Sequence, residues 1–410
     1  MPGGPFRIPA RCDGGPDFGV PGGVLYRLTA GPRLWGVTSS NLMNSGELSN
    51  AGPTVERINA PDGPGARITP DFRAFHELGV RHELALWGTA DRAATLEEDI
   101  AFWRGNEYEE RHVYVARLEG RIVGCGTLTL PLSENTTTAG VHVLVDAPFR
   151  RRGFGSVILG VLEGVAQERG RSSFDGYCGE PIAPVLAGVP LLQAASGSGG
   201  VPRDSASTRF AVHCGYSLEQ VETNSSLALP FDATHIHALE ADARSRSTAY
   251  SVITWSDRCP DEFVEAYARL KSLMSTEVPI AGLGWEGEAW DAARVRQEEA
   301  TWRAGGLDAV VSVARHNDSG ELAAYTALVH REAMPAVIFQ EDTLVDPAHR
   351  GHRLGMLVKI ANLRKAVLAW PAGTSVMTWN ASENQHMLAI NIALGFKPSG
   401  FEGEWQKRLV

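Results

Sequence analysis

One loop signature occurs twice in this chain, about 200 positions apart, and that repetition restricts the fold more than any other feature. The run Leu144-Val145-Asp146-Ala147-Pro148-Phe149-Arg150-Arg151-Arg152-Gly153-Phe154-Gly155 is echoed by Leu344-Val345-Asp346-Pro347-Ala348-His349-Arg350-Gly351-His352-Arg353-Leu354-Gly355. In each copy a β-branched apolar run ends in a turn, a cluster of Arg and Gly follows, and an apolar run at helical spacing begins. Ile158, Val161, Leu162 and Val165 fall at i, i+3, i+4, i+7, as do Leu354, Leu357, Val358 and Ala361. A strand, an Arg/Gly turn and a helix N-terminus together hold phosphate. Free N–H groups and the helix dipole favour an anion there, and glycine lets it approach the backbone. The chain therefore reads as two related domains, each with a phosphate-binding turn.

Its 410 residues are too many for one ordinary core and fit two domains. A net charge of −10 argues against a nucleic-acid partner, so the basic turns stand out as local spots suited to a small polyanion. Five scattered cysteines (Cys12, Cys125, Cys178, Cys214, Cys259) with no C-x-x-C point to reduced thiols in the cytoplasm, and to neither disulfides nor a metal site. Cys125 lies in a strand pattern and reads as a packing residue. No run approaches the ~20 apolar residues of a membrane span. The Gly- and Pro-rich N-terminus has no apolar h-region, so no signal peptide is expected.

Residues 1–52 read as a disordered leader, with short extended pieces at Val24–Leu28 and Leu34–Val37 and Met43 as a candidate start. A first domain is expected over 53–233 and a second over 234–410. In the first, Arg57–Ile68 looks extended, Thr69–Leu86 and Thr95–Arg104 helical, and Val113–Arg117 with Ile122–Pro131 a hairpin. The strand Val141–Val145, the turn and the helix Phe154–Arg169 follow. Cys178 to Asp204, rich in Gly, Pro, Ala and Ser, reads as a loosely ordered insertion. Ser207–Cys214 is expected to be a helix, with strand pieces from Ser217 to Leu229. After a connecting helix at Thr234–Arg246 the order repeats: strand Ala249–Trp255, helices Asp261–Ser275 and Glu288–Ala304, and hairpin Val310–Arg315 with Leu322–Arg331. Strand Val337–Val345, helix Leu354–Ala369, strand Thr374–Asn380 and helix Glu383–Leu394 come next. Gly395-Phe396 then opens a final strand pair. Each half is a mixed α/β layer with its turn after the fourth strand.

This order, with R-x-x-G-x-G/A after the fourth strand, resembles the GNAT superfamily of acyl-CoA-dependent N-acetyltransferases. Arg150-x-x-Gly153-x-Gly155 matches the loop pattern, and Arg350-x-x-Arg353-x-Gly355 departs from it where Arg353 replaces a glycine. An Asn-led helix followed by Gly-Phe is matched by Asn384 through Gly395-Phe396. Both halves take part, so the chain is similar to tandem GNAT proteins, the kind that includes mycothiol synthase. The resemblance implies acetyl-CoA as cosubstrate and a small-molecule amine as acceptor; charge, hydropathy and the scattered cysteines have already pointed away from nucleic acid, membrane and metal. It leaves the oligomeric state open. Pyrophosphate would sit on Arg350, Gly351, His352, Arg353, Leu354, Gly355 and Met356, and in the first half on Arg150, Arg151, Gly153, Gly155 and Ser156. The pantetheine arm would pair with Leu344 and Val345, or with Val143 and Val145, as an added strand. Asn380 and Asn384 would help to hold it; a plain helix-cap role for Asn384 is the competing reading.

Acetyl transfer to an amine needs a base, a donor for the thioester oxygen and a proton for the leaving thiolate. Asp342, with Glu341 second, is the expected base, because neighbours on a strand point to opposite faces and only one meets the amine. The amide of Leu344 or Val345 is the expected oxyanion donor. His142 stands in the first half where Asp342 stands in the second, and Asp204 where Asn384 does, so catalysis is assigned to the second half. The family's thiolate-protonating Tyr is replaced by Asn391, with Tyr325 a weak substitute. Glu277, Trp285 and Glu286 could bind a cationic amine through charge and a ring face. Rival readings are a non-catalytic acyl-CoA binder or regulatory protein and a protein acetyltransferase. A Rossmann site is disfavoured, since neither turn completes G-x-G-x-x-G after a first strand.

Overall fold

The computed structural model describes residues 52–63 and 65–409. The expected leader up to residue 51, with its extended pieces, Cys12 and Met43, lies outside the described residues. The first half runs β1 (Thr54–Ile58), α1 (Pro70–Trp87), α2 (Leu96–Trp103), β2 (Glu109–Leu118), β3 (Arg121–Pro131), β4 (Thr138–Val145), α3 (Phe154–Glu168) and β5 (Ser173–Pro181). It ends with α4 (Ile182–Leu186), β6 (Leu191–Gln193), β7 (Gly200–Pro202), α5 (Ala206–His213) and β8 (Ser217–Ala228). Helix α6 (Ala233–Arg246) leads into β9 (Tyr250–Ser256), α7 (Val264–Glu277), α8 (Ala292–Ala304), β10 (Leu307–His316), β11 (Leu322–Arg331) and β12 (Val337–Val345). Then come α9 (Leu354–Ala369), β13 (Ser375–Ala381), α10 (Gln385–Leu394) and β14 (Lys397–Arg408).

Twelve strands form one sheet in the order β1-β2-β3-β4-β5-β14-β8-β13-β12-β11-β10-β9, and β6 pairs with β7 apart from it. The order shows an exchange. Strand β14, the end of the second half, lies antiparallel between β5 and β8, while β8, the end of the first, pairs with β13. Each half thus completes the other's sheet, so a cut between 233 and 234 separates strands that need each other.

Alternation along the strands sorts the cores. Ala324 and Leu328 pack with α9, whereas Tyr325 and Ala327 pack with α7, so helices cover both faces of β11. In the first half Leu128 and Leu130 meet α3 and Cys125 meets α1, where Cys125 is the buried packing residue its strand pattern predicted. Local chemistry places the helix ends: Thr69 caps α1 ahead of Pro70, and Thr95 with Glu98 forms a capping box on α2. Glu98 serves twice, since its second oxygen takes the Arg331 guanidinium of β11 at 2.8 Å and ties the halves together.

Three expectations need correction. The stretch 178–204 is ordered, carrying the end of β5, α4, β6 and β7. Its glycine content has a packing reason. A Cβ at Gly179 would stand 2.9 Å from the Trp87 ring, and one at Gly400 of the neighbouring β14 would stand 2.7 Å from it, so the indole lies flat on two strands only because both positions are bare. The pieces after Ser217 form the single strand β8, and Gly395-Phe396 opens one long strand, β14, instead of a pair. Among the described residues no helix is long and apolar enough to cross a membrane.

Because β8 and β14 are exchanged, residues 53–233 and 234–410 produced separately are expected to aggregate or stay loosely folded, and to form a stable particle when co-expressed. Gel filtration and thermal melting check this. A monomeric half with its own cooperative melt would contradict the exchange.

Candidate active site

Each half contains a fork. In the second, β12 and β13 pair in parallel only from Val337–Phe339 against Ser375–Met377, and the strands then diverge. In the first, β4 and β5 pair only from Thr138–Gly140 against Ser173–Asp175. Strand register tells which backbone groups face each gap. The Asp346 amide donates to Ala323 at 2.9 Å, so by antiparallel alternation the Leu344 amide also belongs to β11 and that of Val345 turns toward the gap. Of the two expected oxyanion donors, the register favours Val345; Leu344 is buried under α7. The first half repeats this, with Asp146 donating to Val123 at 2.9 Å and Val143 and Val145 facing the gap.

The two turns share a backbone path but trade residues. Positive φ occurs at Arg151 (62°) and Gly153 (82°) in one, and at Gly351 (89°) and Arg353 (58°) in the other. The left-handed conformation costs a non-glycine residue about 1–2 kcal/mol, so each turn carries one strained arginine, Arg151 or Arg353. Asp146 and Asp346 cap the short 3-10 turns that follow them, at 147–149 and 347–349. Gly155 and Gly355 have a different task from ligand approach. A Cβ there would meet Phe210 of α5 at 3.0 Å and Ile390 of α10 at 3.1 Å, so they let those helices close over the turns. Beside the first turn lies a crevice of about 350 Å³, lined by Val143, Val145, Arg150, Gly153, Ser156 and Arg209. That volume lies within the ~300–1,000 Å³ of small-molecule sites. Arg150 closes its rim by donating Nε to the Val145 carbonyl at 2.8 Å.

The forks differ in one structural respect. Register is continuous between β3 and β4, but between β11 and β12 it slips: Thr326 faces Thr343 and Leu328 faces Gln340, so Glu341 and Asp342 together oppose Ala327. This is a β-bulge, which redirects side chains. Glu341 lines the cleft between β12 and β13 with Thr343, Lys359, Asn380 and Glu222. Asp342 turns to the α7 face, where its carboxylate accepts from Tyr325 at 3.1 Å and lies 3.3 Å from the Lys271 ammonium. Lys271 is buried and also 3.0 Å from Glu298. Burial pushes the Glu298 carboxyl up to about 7, against the pull of Lys271. For Lys271 itself burial acts downward, and Glu298, Tyr267 and Asp342 reverse it, so the ammonium is held above its ordinary range. The Asp342 carboxylate is thus held in this group on the α7 face, away from the cleft.

Other expected residues fall as follows. Asn384 caps α10, accepting from Met387 N at 3.2 Å, and it also lines the cleft. Ser205, one place after the expected Asp204, caps α5 in the first half. Asn391 donates to the Asn380 side chain at 2.6 Å. Glu277 is at the second turn, 2.7 Å from Arg350, and Arg353 is 3.6 Å from Asp242. Trp285 and Glu286 are not brought to the second cleft. They strap the α7–α8 loop onto the first half, Trp285 donating to Asp175 and Glu286 exchanging bonds with Asn135 at 2.6 and 2.8 Å. His142 packs edge-on to Tyr177 with ring centres 4.2 Å apart, and burial pushes it down to about 3, so it stays neutral. Sequence reasoning missed Gln340, Lys359 and Glu222. Gln340 opens the polar run Gln340-Glu341-Asp342-Thr343, and Lys359 was visible as a single polar residue inside an apolar run. Glu222 was not, because it arrives from the other half on the exchanged β8, where its carboxylate lies within 4.8 Å of those of Glu402 and Glu404.

Residues 74–174 match the acetyltransferase (GNAT) family. Over 87% of this chain and 98% of the other, the structure resembles a tandem GNAT protein from the clavulanic acid biosynthesis pathway, with 24% identity and a TM-score of 0.63. It also resembles a GCN5-related N-acetyltransferase from Sphaerobacter thermophilus, with 12% identity, a TM-score of 0.55, and 88% and 97% of the two chains covered. No curated protein matches the sequence. The chain has the tandem GNAT fold, as its repeated turns and element order predicted.

Asp175, at the point where the first fork opens, accepts from Trp285 and from Gln406 at 2.8 Å, yet burial raises its carboxyl to about 6. The folded protein keeps this proton to higher pH than the unfolded chain, so stability falls as pH rises from about 4 through 6, by up to ~3 kcal/mol. Asp175→Asn is expected to flatten that part of the stability–pH curve, as read from urea unfolding at pH 4.5 and 7.5. An unchanged pH dependence would contradict the assignment.

Proposed function

We propose that this protein is an acetyl-CoA-dependent N-acetyltransferase acting on a small-molecule amine in the cytoplasm, with the second half catalytic. The observation that carries the reading is the bulged fork of β12 and β13, which combines gap-facing amides, a phosphate-type turn and a cleft-lining carboxylate. In this reading the pyrophosphate is held by the amides and side chains of residues 350–356, and the pantetheine arm pairs with the free edge of β12. Glu341, not Asp342, takes the proton from the acceptor amine, directly or through one water; Asp342 belongs to the buried group with Lys271, Glu298 and Tyr325. The amine nitrogen attacks the thioester carbon, the C–S bond breaks, and CoA leaves as the thiolate, which takes its proton from water. The Val345 amide meets the negative charge on the carbonyl oxygen. Glu222, which lines the cleft with Glu341 and has Glu402 and Glu404 beside it, suits an acceptor that is cationic before it loses its proton. No metal has a part in the scheme.

The first half serves as an acyl-CoA-holding domain without chemistry of its own. Its crevice and turn favour a ligand, while its unbulged β4 carries a buried neutral His142 in place of an acid.

Incubation with acetyl-CoA and a panel of amines is expected to release CoA. Glu341→Gln should lower kcat by ~10²–10⁴-fold, the usual worth of a general base, and leave acetyl-CoA affinity nearly unchanged. Asp342→Asn should act mainly through stability. Full turnover in Glu341→Gln would refute the assignment, and tight acetyl-CoA binding without turnover on any amine would favour a purely binding role.

A further inference from the structure

A bulge leaves backbone groups that the strand ladder cannot serve. With Glu341 and Asp342 both opposite Ala327, one β11 carbonyl faces two residues where a regular ladder offers one. Gln340, 2% exposed, fills this position. Its Nε2 lies 2.6 Å from the Ala327 carbonyl and 3.0 Å from Thr326 Oγ1, with the carbonyls of Glu341 and Asp342 at 3.3 and 3.4 Å. A side-chain amide has two hydrogens and can be turned over, so the bulge is defined only if something decides which end faces the carbonyls. Lys359 decides it. Projecting from α9 and 1% exposed, its Nζ donates to Gln340 Oε1 at 3.1 Å. An ammonium has only donors, so it holds the amide oxygen toward α9 and the NH₂ toward the bulge.

The first half supplies an internal comparison. Val141 opposes Leu128 as Gln340 opposes Leu328, His142 alone stands where Glu341 and Asp342 both stand, Leu159 takes the place of Lys359, and the register there is unbroken. Bulge and brace occur together and are absent together. Packing alone does not call for a lysine, since Leu159 fills the same place on α3, and burying an ammonium is costly unless it is bonded.

We propose that Lys359 is a positioning residue of the second fork: through Gln340 it holds the β12 bulge in shape, and so aims Glu341 and the Val345 amide into the cleft. The inference rests on the reading of that fork as the catalytic one, but the brace can be tested without turnover.

The test combines amide hydrogen exchange over residues 337–346 with steady-state kinetics, for the wild type, Lys359→Met, Gln340→Met and the double variant. Both single variants are expected to speed exchange at 341–343 at least tenfold, with α3 unchanged. They should lower kcat at least tenfold and leave KM for acetyl-CoA within twofold, because the phosphate turn is untouched. The double variant should be no worse than the worse single one. Unchanged exchange, kcat within twofold of wild type, or effects that multiply would each overturn the proposal. If Lys359→Met loosens the whole molecule, Gln340→Glu decides by the same readings. It keeps a partner for the ammonium yet turns an oxygen toward the Ala327 carbonyl, so it should loosen 341–343 alone; wild-type exchange there would overturn the brace. If the wild type acetylates no amine, the functional reading fails, and exchange at 341–343 still decides the brace.

Discussion

The pairing of β8 with β14 along the middle of the sheet holds the rest of the structure in place. Each strand is the last of its half, and each lies against the diverging strand of the other half, β13 or β5. A fork is an unstable thing by itself: two parallel strands that stop bonding expose backbone groups and a wedge of core. Here each fork's outer arm is fixed by a strand from the opposite half. Strand exchange also brings Glu222 to a cleft whose other walls, Met274 to Met387, come from 52 to 165 residues later in the chain. Further ties reinforce it. Arg331 bonds to Glu98 and to the carbonyl of Ala93 at 3.0 Å, and the Trp87 ring lies across β5 and β14.

On that frame the two halves have diverged in a physically legible way. The first keeps a regular β4, an open crevice beside its turn and apolar residues in the wedge. The second gains a bulge, and with it a buried glutamine, a buried lysine and a carboxylate at the cleft. A buried lysine and its glutamine partner are harder to stabilise than the aliphatic residues of the first half, which points to a constraint other than stability. The acid pair at 341 and 342 also separates by environment. One faces the cleft, while the other is tied into a group of two carboxylates, two phenols and one ammonium in the core under α7.

Much of this could be read from residues alone, because it depends on local rules. The repeated turns, the caps at Thr69, Thr95 and Asn384, and the strand–turn–helix order all follow from short-range spacing, and the hairpin Leu322–Arg331 and strand Val337–Val345 fall where their patterns put them. What escaped depends on long-range placement. Nothing near Gly179 or Gly400 announces a tryptophan from α1 lying on them, so an ordered strand read as loop. No local signal marks β14 as a strand of the first half's sheet, or Trp285 as a strap on Asp175. Which of Glu341 and Asp342 faces the cleft depends on a one-residue slip that only pairing with β11 reveals, since simple alternation cannot say which of two neighbours meets the gap.

The account stands on the second fork being the place where the thioester is held. A crystal structure of the full chain with CoA tests that most directly. The account predicts a pantetheine arm lying between β12 and β13, bonded to the backbone at Val345, with its sulfur facing the bulge and the Glu341 carboxylate across the cleft. A pantetheine arm found only between β4 and β5, with the bulged fork closed, would contradict it.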